Sequence, residues 1–413
     1  MRPWIALVTA ACSAVAVVPL VQRHASADQV EAGVVHVATA PAPKPAPLPP
    51  LTGIELDKLA VHDDGATAPG AMGRVAHLTL DPALQRSALH TLEKFAFPEA
   101  AVVVTDTATG RVLVWANHVQ KGPHRDLCAE ANAPAASIFK LVTAAALVEN
   151  AGLTPEDRQC YSGGESKLTA LDLVDDQRRD RWCATLSEAM GRSINAVFAR
   201  LALRKLNPPD LLAMASAFGF GETVPFDVPV AVSTVKIPED RLGFARTAAG
   251  FWNTTLSPLE AAAMASTVAN RGEMLRPYLV ESVADASGTI YQATKRQVLR
   301  RPVRPETAAA ITTMMESTVA GGTSYKAFHD GEGRPFLPNI VVAGKTGTLT
   351  RAETDQFYTW FVGFAPSRAP EVAIAVLVVN TPTWRAKANV VAREVLRAYF
   401  ASPTRHAPGV TRP

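Results

Sequence analysis

Read by its apolar and polar positions, the chain divides into a leader, a folded part that changes character twice, and a tail. An apolar run from Trp4 to Val21 follows Arg2, and Ala25-Ser26-Ala27 comes after it. A basic residue, an apolar run of roughly twenty residues and a small-residue pattern are the parts of an export signal, and the run is also near the length that spans a bilayer. Residues 1–27 are therefore expected to be a signal peptide or a membrane anchor, acting in the periplasm or at the extracytoplasmic face of the cell membrane. Residues 28–77 contain PAPKPAPLPPL and then a polar stretch without periodicity. They read as a stiff Pro/Ala linker with a short N-terminal segment.

Regular patterning starts at LTLDPALQRSALHTLEKF, where Asp81 can cap and Pro82 can open a helix burying Leu84, Ala88, Leu89 and Leu92. Ala101–Asp106 and Arg111–Ala116, joined across Gly110, read as a β-hairpin. Helical patterns then dominate: 134–150, 185–201 with an interruption at Gly191-Arg192-Ser193, 208–220, 257–272 behind a Ser257-Pro258-Leu259-Glu260 cap, and 305–320. A short hairpin is expected around Gly288, a basic solvated edge at 295–304, and a solvated loop over the polar stretch 160–181. The last third turns β-rich at 339–346, 357–364 and 372–379, and 386–400 closes with a helix. Strands joined by short turns are antiparallel. The expected fold is thus α+β: a five-stranded antiparallel sheet, made by the early hairpin and the three late strands, flanked by helices and joined to a helical lobe. A cleft between lobe and sheet would hold the site. Residues 401–413 read as a disordered tail.

Composition narrows the function without naming it. The 413 residues are 48% hydrophobic and 19% charged, with a formal net charge of +3. Near-balanced charge and the lack of a basic stripe interleaved with aromatics argue against nucleic acid. The nine histidines are scattered, no Cys/His spacing resembles a metal site, and no cofactor is expected. Cys160 and Cys183 bracket the polar stretch and would pair in an oxidising compartment, leaving Cys128 over.

Candidate chemistry lies in PAASIFKLVTAAALVEN. Ser137 and Lys140 are three residues apart and share a helix face, and the residues after Lys140 are apolar. An amine held against such a surface loses affinity for its proton, and a proton-poor lysine can activate a serine without histidine. The chain carries a control: Ser233-Thr234-Val235-Lys236 has the same spacing in a β-branched run between prolines. In extended chain, residues three apart point to opposite faces, so that copy carries no chemistry.

Two further fragments complete a set. Ser193-Ile194-Asn195 sits at the helix interruption, and Lys345-Thr346-Gly347-Thr348 ends the first late strand. In this order, Ser-x-x-Lys, Ser-x-Asn and Lys-Thr-Gly resemble the penicillin-binding protein transpeptidase domain. LTLDPALQ with AAVVVTDTATGRVLVWAN, LSPLEAAAMASTVANRGEMLRPYLV, GGTSYKAF and WFVGFAPSRAPEVAIAVLV extend the resemblance over 78–400.

The resemblance implies a D,D-transpeptidase acting on the D-Ala-D-Ala ends of peptidoglycan stem peptides and inhibited by β-lactams. It implies Ser137 as nucleophile, Lys140 as general base, Ser193 as proton relay with Lys140 and Lys345 on either side, Asn195 bonding the substrate amide, Lys345, Thr346 and Thr348 receiving the terminal carboxylate, and Gly347 letting the substrate backbone approach the strand closely. It also implies a separate glycan polymerase as partner, since 28–77 is too short for a glycosyltransferase domain. A D,D-carboxypeptidase, a serine β-lactamase and a non-catalytic β-lactam sensor or scaffold in a cell-wall complex share the motifs and stay open. Two departures stand out. Ala135 and Ala136 occupy positions where the family often has Gly, and Ala249-Gly250-Phe251-Trp252 lacks the family's frequent Gly-Gln-Gly.

Overall fold

The structure, a computed structural model, describes residues 48–402 apart from 166, 352–354 and 383. The expected signal or anchor at 1–27, the linker up to 47 and the tail beyond 402 lie outside the described residues. Among the described residues no helix is long and apolar enough to cross a membrane.

Three short strands open the described chain: β1 (Ala60–Val61), β2 (Ala66–Pro69) and β3 (Val75–Leu78). Helix α1 (Pro82–Phe95) is capped as expected, the Asp81 carboxylate accepting from the Leu84 N–H at 2.8 Å. Strands β4 (Glu99–Asp106) and β5 (Val112–Val119) form the early hairpin. The middle is helical: α2 (Lys140–Glu149), α3 (Leu186–Arg192), α4 (Asn195–Lys205), α5 (Pro208–Ala217), α6 (Arg241–Ala248) and α7 (Pro258–Ala269). A small hairpin, β6 (Arg158–Tyr161) and β7 (Trp182–Thr185), lies between α2 and α3, with Cys160 opposite Cys183 and the two joined in a disulfide; Cys128 is free and buried. Then come β8 (Val280–Asp285), β9 (Gly288–Gln292), α8 (Pro305–Ala320), α9 (Tyr325–Phe328), β10 (Ala343–Arg351), β11 (Gln356–Ala365), β12 (Val372–Asn380) and α10 (Ala388–Phe400).

The central sheet runs β10-β11-β12-β4-β5 and is antiparallel throughout, so the early hairpin joins the three late strands through β4 and β12. Both faces are buried. Ala373, Ala375 and Leu377 of β12 belong to the core shared with the helical lobe, whereas Val372, Ile374, Val376 and Val378 pack with α1 and α10. A strand buried on both faces reads as an unbroken apolar run, which is why VAIAVLVVN shows no alternation. Strand β10, which carries Lys345, is the sheet's edge.

The short N-terminal segment expected before residue 78 contains regular structure. Residues 60–78 form β1–β3, which pair with β8 and β9 in a second five-stranded sheet. These strands span two to four residues, and only Ala66, Ala68, Ala76 and Leu78 face inward, too few to register as a period among the neighbouring Gly and Pro. The Arg74 guanidinium donates to the carbonyls of Leu48 and Pro49 at 3.0 and 2.7 Å and ties down the end of the Pro-rich segment.

Helix α7 carries one costly group. Glu260 takes up the expected cap, its N–H donating to Ser257 Oγ at 3.2 Å. Its carboxylate is 1% exposed, and neither oxygen completes a hydrogen bond. Desolvation outweighs the nearby Ser233 hydroxyl and pushes the group up to about 7. A carboxyl whose folded pKa exceeds its unfolded value holds its proton more tightly when folded. Its charging penalty is therefore absent below the ordinary value of 4.5, grows through about 7 and is full above it. The difference corresponds to roughly 3 kcal/mol. Thermal melts should show the wild type losing stability between about pH 5 and about pH 8, and Glu260→Gln flattening that loss. Parallel pH dependences in the two proteins would refute the assignment.

Candidate active site

The stretch 134–150 does not fold as one helix. Residues Ala136–Phe139 form a 3₁₀ turn, and α2 begins at Lys140. In a 3₁₀ turn, side chains three apart eclipse. This places Ser137 Oγ 2.9 Å from Lys140 Nζ, a tighter alignment than the expected helix face. The turn is entered through Ala136 at φ 48°, a left-handed conformation that costs an alanine about 1–2 kcal/mol. Three neighbours hold it there. Trp360 Nε1 donates to the Pro134 carbonyl at 2.9 Å. Gly250, at φ 79°, lies so close that a Cβ would sit 2.4 Å from the Ala136 carbonyl oxygen. A Cβ on Gly347 would stand 3.3 Å from that of Ala136. Gly347 thus packs closely on the chain's own Ala135–Ala136 segment while also lining the cleft.

Lys140 is fully buried. Its Nζ lies 2.6 Å from Asn195 Oδ1 and 2.6 Å from the Ala249 carbonyl oxygen, besides the contact to Ser137. Desolvation, then repulsion from Lys345, holds its pKa well below that of an ordinary lysine.

Ser193 and Asn195 come from the break between α3 and α4. Thr185 and Glu188 form a capping box that starts α3. The helix ends with Ser193, not Gly191, in the left-handed conformation, at φ 58°. Gly191 is small for another reason: a Cβ there would stand 2.8 Å from the Ser317 carbonyl of α8. The reversal points Ser193 Oγ at Lys345 Nζ, which donates to it at 2.9 Å and to the Thr346 carbonyl at 2.9 Å. Lys345 is also fully buried, and burial lowers it to about 7. Asn195 Nδ2 donates to the Glu165 carbonyl at 2.6 Å, so both ends of its amide are engaged.

Ser137, Ser193, Asn195, Thr346, Gly347 and Thr348 line one cleft of about 440 Å³, with the two lysines beneath its floor. All eight residues singled out from sequence thus converge. Sequence reasoning missed Thr323, whose hydroxyl is 2.5 Å from that of Thr346, as well as Trp360, Gly250 and the carbonyls of Ala249 and Glu165. The stretch GGTSYKAF marked the neighbourhood of Thr323, but a contribution made by a backbone carbonyl leaves no side-chain signature. The decoy behaves as expected: Ser233 is buried and accepts from the Ser257 N–H at 3.1 Å, while Lys236 is exposed.

Comparison with known proteins gives a consistent picture. Residues 100–401 match the family model described as the penicillin binding protein transpeptidase domain. The chain is 28% identical over 337 residues to the peptidoglycan D,D-transpeptidase PbpA of Mycolicibacterium smegmatis, covering 73% of this chain and 66% of the relative. It is 32% identical over 280 residues to PbpA of Mycobacterium tuberculosis, covering 64% and 54%. The chain thus spans between about half and two thirds of the length of these curated relatives. Among solved structures it resembles the imipenem acyl-enzyme complex of penicillin-binding protein A from M. tuberculosis, with a TM-score of 0.66 and 27% identity over 79% of each chain.

The contact between Gly250 and Ala136 makes an opposed pair of predictions. Ala136→Gly should raise the melting temperature modestly, because glycine accepts the left-handed conformation. Gly250→Ala should destabilise by more than about 1 kcal/mol through strain and the collision with the Ala136 carbonyl. Equal effects of the two substitutions would show that the segment is not held as described.

Proposed function

This chain belongs to the penicillin-binding protein transpeptidase family, and from that premise we propose that it is a peptidoglycan D,D-transpeptidase working through a Ser137 acyl-enzyme. The observation that carries the reading is the environment of Lys140. A neutral amine has two N–H groups and one lone pair. Asn195 Oδ1 and the Ala249 carbonyl can only accept, so they take the two N–H groups. The lone pair is left facing Ser137 Oγ, whose O–H then donates to it across 2.9 Å. That is the arrangement a general base needs before attack.

In this reading Ser137 Oγ attacks the carbonyl carbon of the D-Ala-D-Ala bond while Lys140 takes its proton. The N–H groups of Ser137 and Thr348 stabilise the oxyanion. Thr346, Thr348, Thr323 and protonated Lys345 receive the terminal carboxylate, and Asn195 meets the substrate amide. The proton passes by way of Ser193 to the leaving nitrogen, the C–N bond breaks, D-Ala departs, and the stem peptide remains as an ester of Ser137. An amine of a second stem peptide then attacks the ester and gives up its proton to the same base, which returns it to Ser137 Oγ as the ester C–O bond breaks, leaving a new amide cross-link and free Ser137. Cross-linking consumes glycan strands, so a glycan polymerase supplies the substrate. The work belongs outside the cytoplasm, where the M. smegmatis and M. tuberculosis relatives' substrate, the peptidoglycan, is assembled into the wall.

A fluorescent penicillin tests the nucleophile. Mass spectrometry should place a stable adduct on Ser137, and Ser137→Ala should abolish it. An adduct at another residue would overturn the assignment. Rapid breakdown of the adduct with turnover of the antibiotic would indicate a β-lactamase, and release of D-Ala without cross-linked product from stem peptide plus an amine acceptor would indicate a carboxypeptidase.

The two lysines also predict a pH profile. Acylation needs Lys140 free of its proton, so kcat/KM rises as pH climbs through the lowered value of that amine. Lys345 must keep its proton to hold a carboxylate, and it loses it near 7 in the free enzyme. For substrates bearing the carboxylate, kcat/KM should therefore fall on the alkaline side from about that pH. For an analogue with the carboxylate esterified, the alkaline limb should disappear. An alkaline limb that persists unchanged with the ester would rule out Lys345 as its origin.

A further inference from the structure

Residues 162–181 apart from residue 166, in a polar stretch that reads from sequence as a solvated loop, are held down by arginines of α4 and α6. Arg200, on α4 and 2% exposed, donates Nε to the Asp172 carbonyl at 2.6 Å and Nη1 to the Cys160 carbonyl at 2.9 Å. Its guanidinium also pairs with Asp180 at 2.5 and 3.1 Å and reaches Asp175 at 3.3 Å. Arg200 holds the Asp180 carboxyl down to about 2. Arg246 donates twice to the Leu168 carbonyl, at 3.1 and 2.8 Å, and Arg241 donates to the Leu173 carbonyl at 3.4 Å. The Cys160–Cys183 disulfide closes the stem. A buried guanidinium spread over so many acceptors on one segment fixes that segment's position.

The segment makes one contact with the catalytic network: the Glu165 carbonyl accepts from Asn195 Nδ2 at 2.6 Å. A carbonyl can only accept, so this contact fixes which end of the Asn195 amide faces which way. Were the amide reversed, Nδ2 would confront the Lys140 amine, and Oδ1 would confront the Glu165 carbonyl. Both bonds would be lost at once. The preceding residue, Gly164, sits at φ 71° directly on α4, where a Cβ would stand 3.0 Å from that of Ala196, the neighbour of Asn195. Arg200 and Asn195 share α4, so the helix both grips the segment and is oriented by it.

We infer that residues 162–181, closed by the disulfide and gripped by Arg200, form a brace that holds the Asn195 amide in the orientation presenting Oδ1 to Lys140. Gly164 and Arg200 are its positioning residues. The inference rests on Lys140 acting as the base for Ser137, as proposed above. Lys140 is surrounded by Ser137 beside α2, Asn195 and Phe198 of α4, the Ala249 carbonyl after α6, and Lys345 of β10, the charged group that faces it. Loosening the brace changes what the amine meets on its Asn195 side and leaves Lys345 in place.

The test is the second-order rate of acylation by fluorescent penicillin, per titrated active site, from about pH 5 to about pH 9. Wild type is compared with Gly164→Ala, Arg200→Met and the Cys160→Ser/Cys183→Ser double variant, each with a thermal melt. Gly164→Ala should lower the rate by up to about 100-fold and move the acid limb of the profile, with most of the protein still folded. The other two should shift the rate and the limb in the same sense. Variants that lose only melting temperature or active fraction, with rate per site and acid limb unchanged, would overturn the brace. If Arg200→Met does not fold, Gly164→Ala and the double variant decide. Wild type that forms no adduct at all would instead remove the underlying reading of Ser137 and Lys140.

Discussion

A primary amine sealed from water has to be kept short of its proton yet fully bonded, and the rest of the cleft depends on that requirement. An isolated ammonium in a protein interior costs several kcal/mol. Lys140 is relieved of that cost by surrendering affinity for the proton, which desolvation and the second buried amine of Lys345 enforce together. Its Nζ donates to Asn195 Oδ1 and the Ala249 carbonyl, which are 55 and 109 residues away in sequence. A buried donor left unmatched would cost about as much as the desolvation it accompanies. The amine, its orientation and the fold are therefore coupled: the acceptors exist only when α4, α6 and the turn at Ser137 are assembled.

The sheet supplies the other half. Placing Lys345 on the edge strand β10 leaves that strand's outer side free to line the cleft, while the lysine itself reaches beneath the floor to Ser193. Burial on both faces fixes the register of the central strands, since a slip by one residue would turn each apolar row of β12 toward the wrong core. A rigid sheet on one side and a capped helix break on the other thus set the distance between the two lysines, and with it the repulsion that lowers Lys140.

What the sequence made legible follows from which interactions have a side-chain signature. The central sheet was readable because its strands are eight to ten residues of apolar chain between turns. The caps at Asp81 and Ser257 show as residue types at fixed offsets. Strands β1–β3 were not readable, being only two to four residues long. The 3₁₀ turn under Ser137 was read as α-helix because both place residues three apart on one side. The brace at 162–181 was invisible for a different reason. Many of its bonds run from arginines to backbone carbonyls, and one from Asn195 to another, so its polar composition resembles that of a loop meeting only water.

The two Ser-x-x-Lys sequences show why spacing alone has no chemical content. Ser137 and Lys140 fall in a 3₁₀ turn that leads into a buried helix, and the turn's geometry brings oxygen and nitrogen together. Ser233 and Lys236 lie in extended chain, where the serine turns inward to bond Ser257 and the lysine turns out to solvent. A lysine pointing away from the serine cannot take its proton. Even given the turn, Ser137 would gain nothing from Lys140 without the helices that desolvate it and the carbonyls that take its hydrogens. A serine activated by lysine is thus a property of the packed environment, and the motif records only the part of that environment that lies close in sequence. Its remaining parts include the backbone carbonyls of residues 165 and 249, an atom that every residue type carries, so no pattern of residue types points to them.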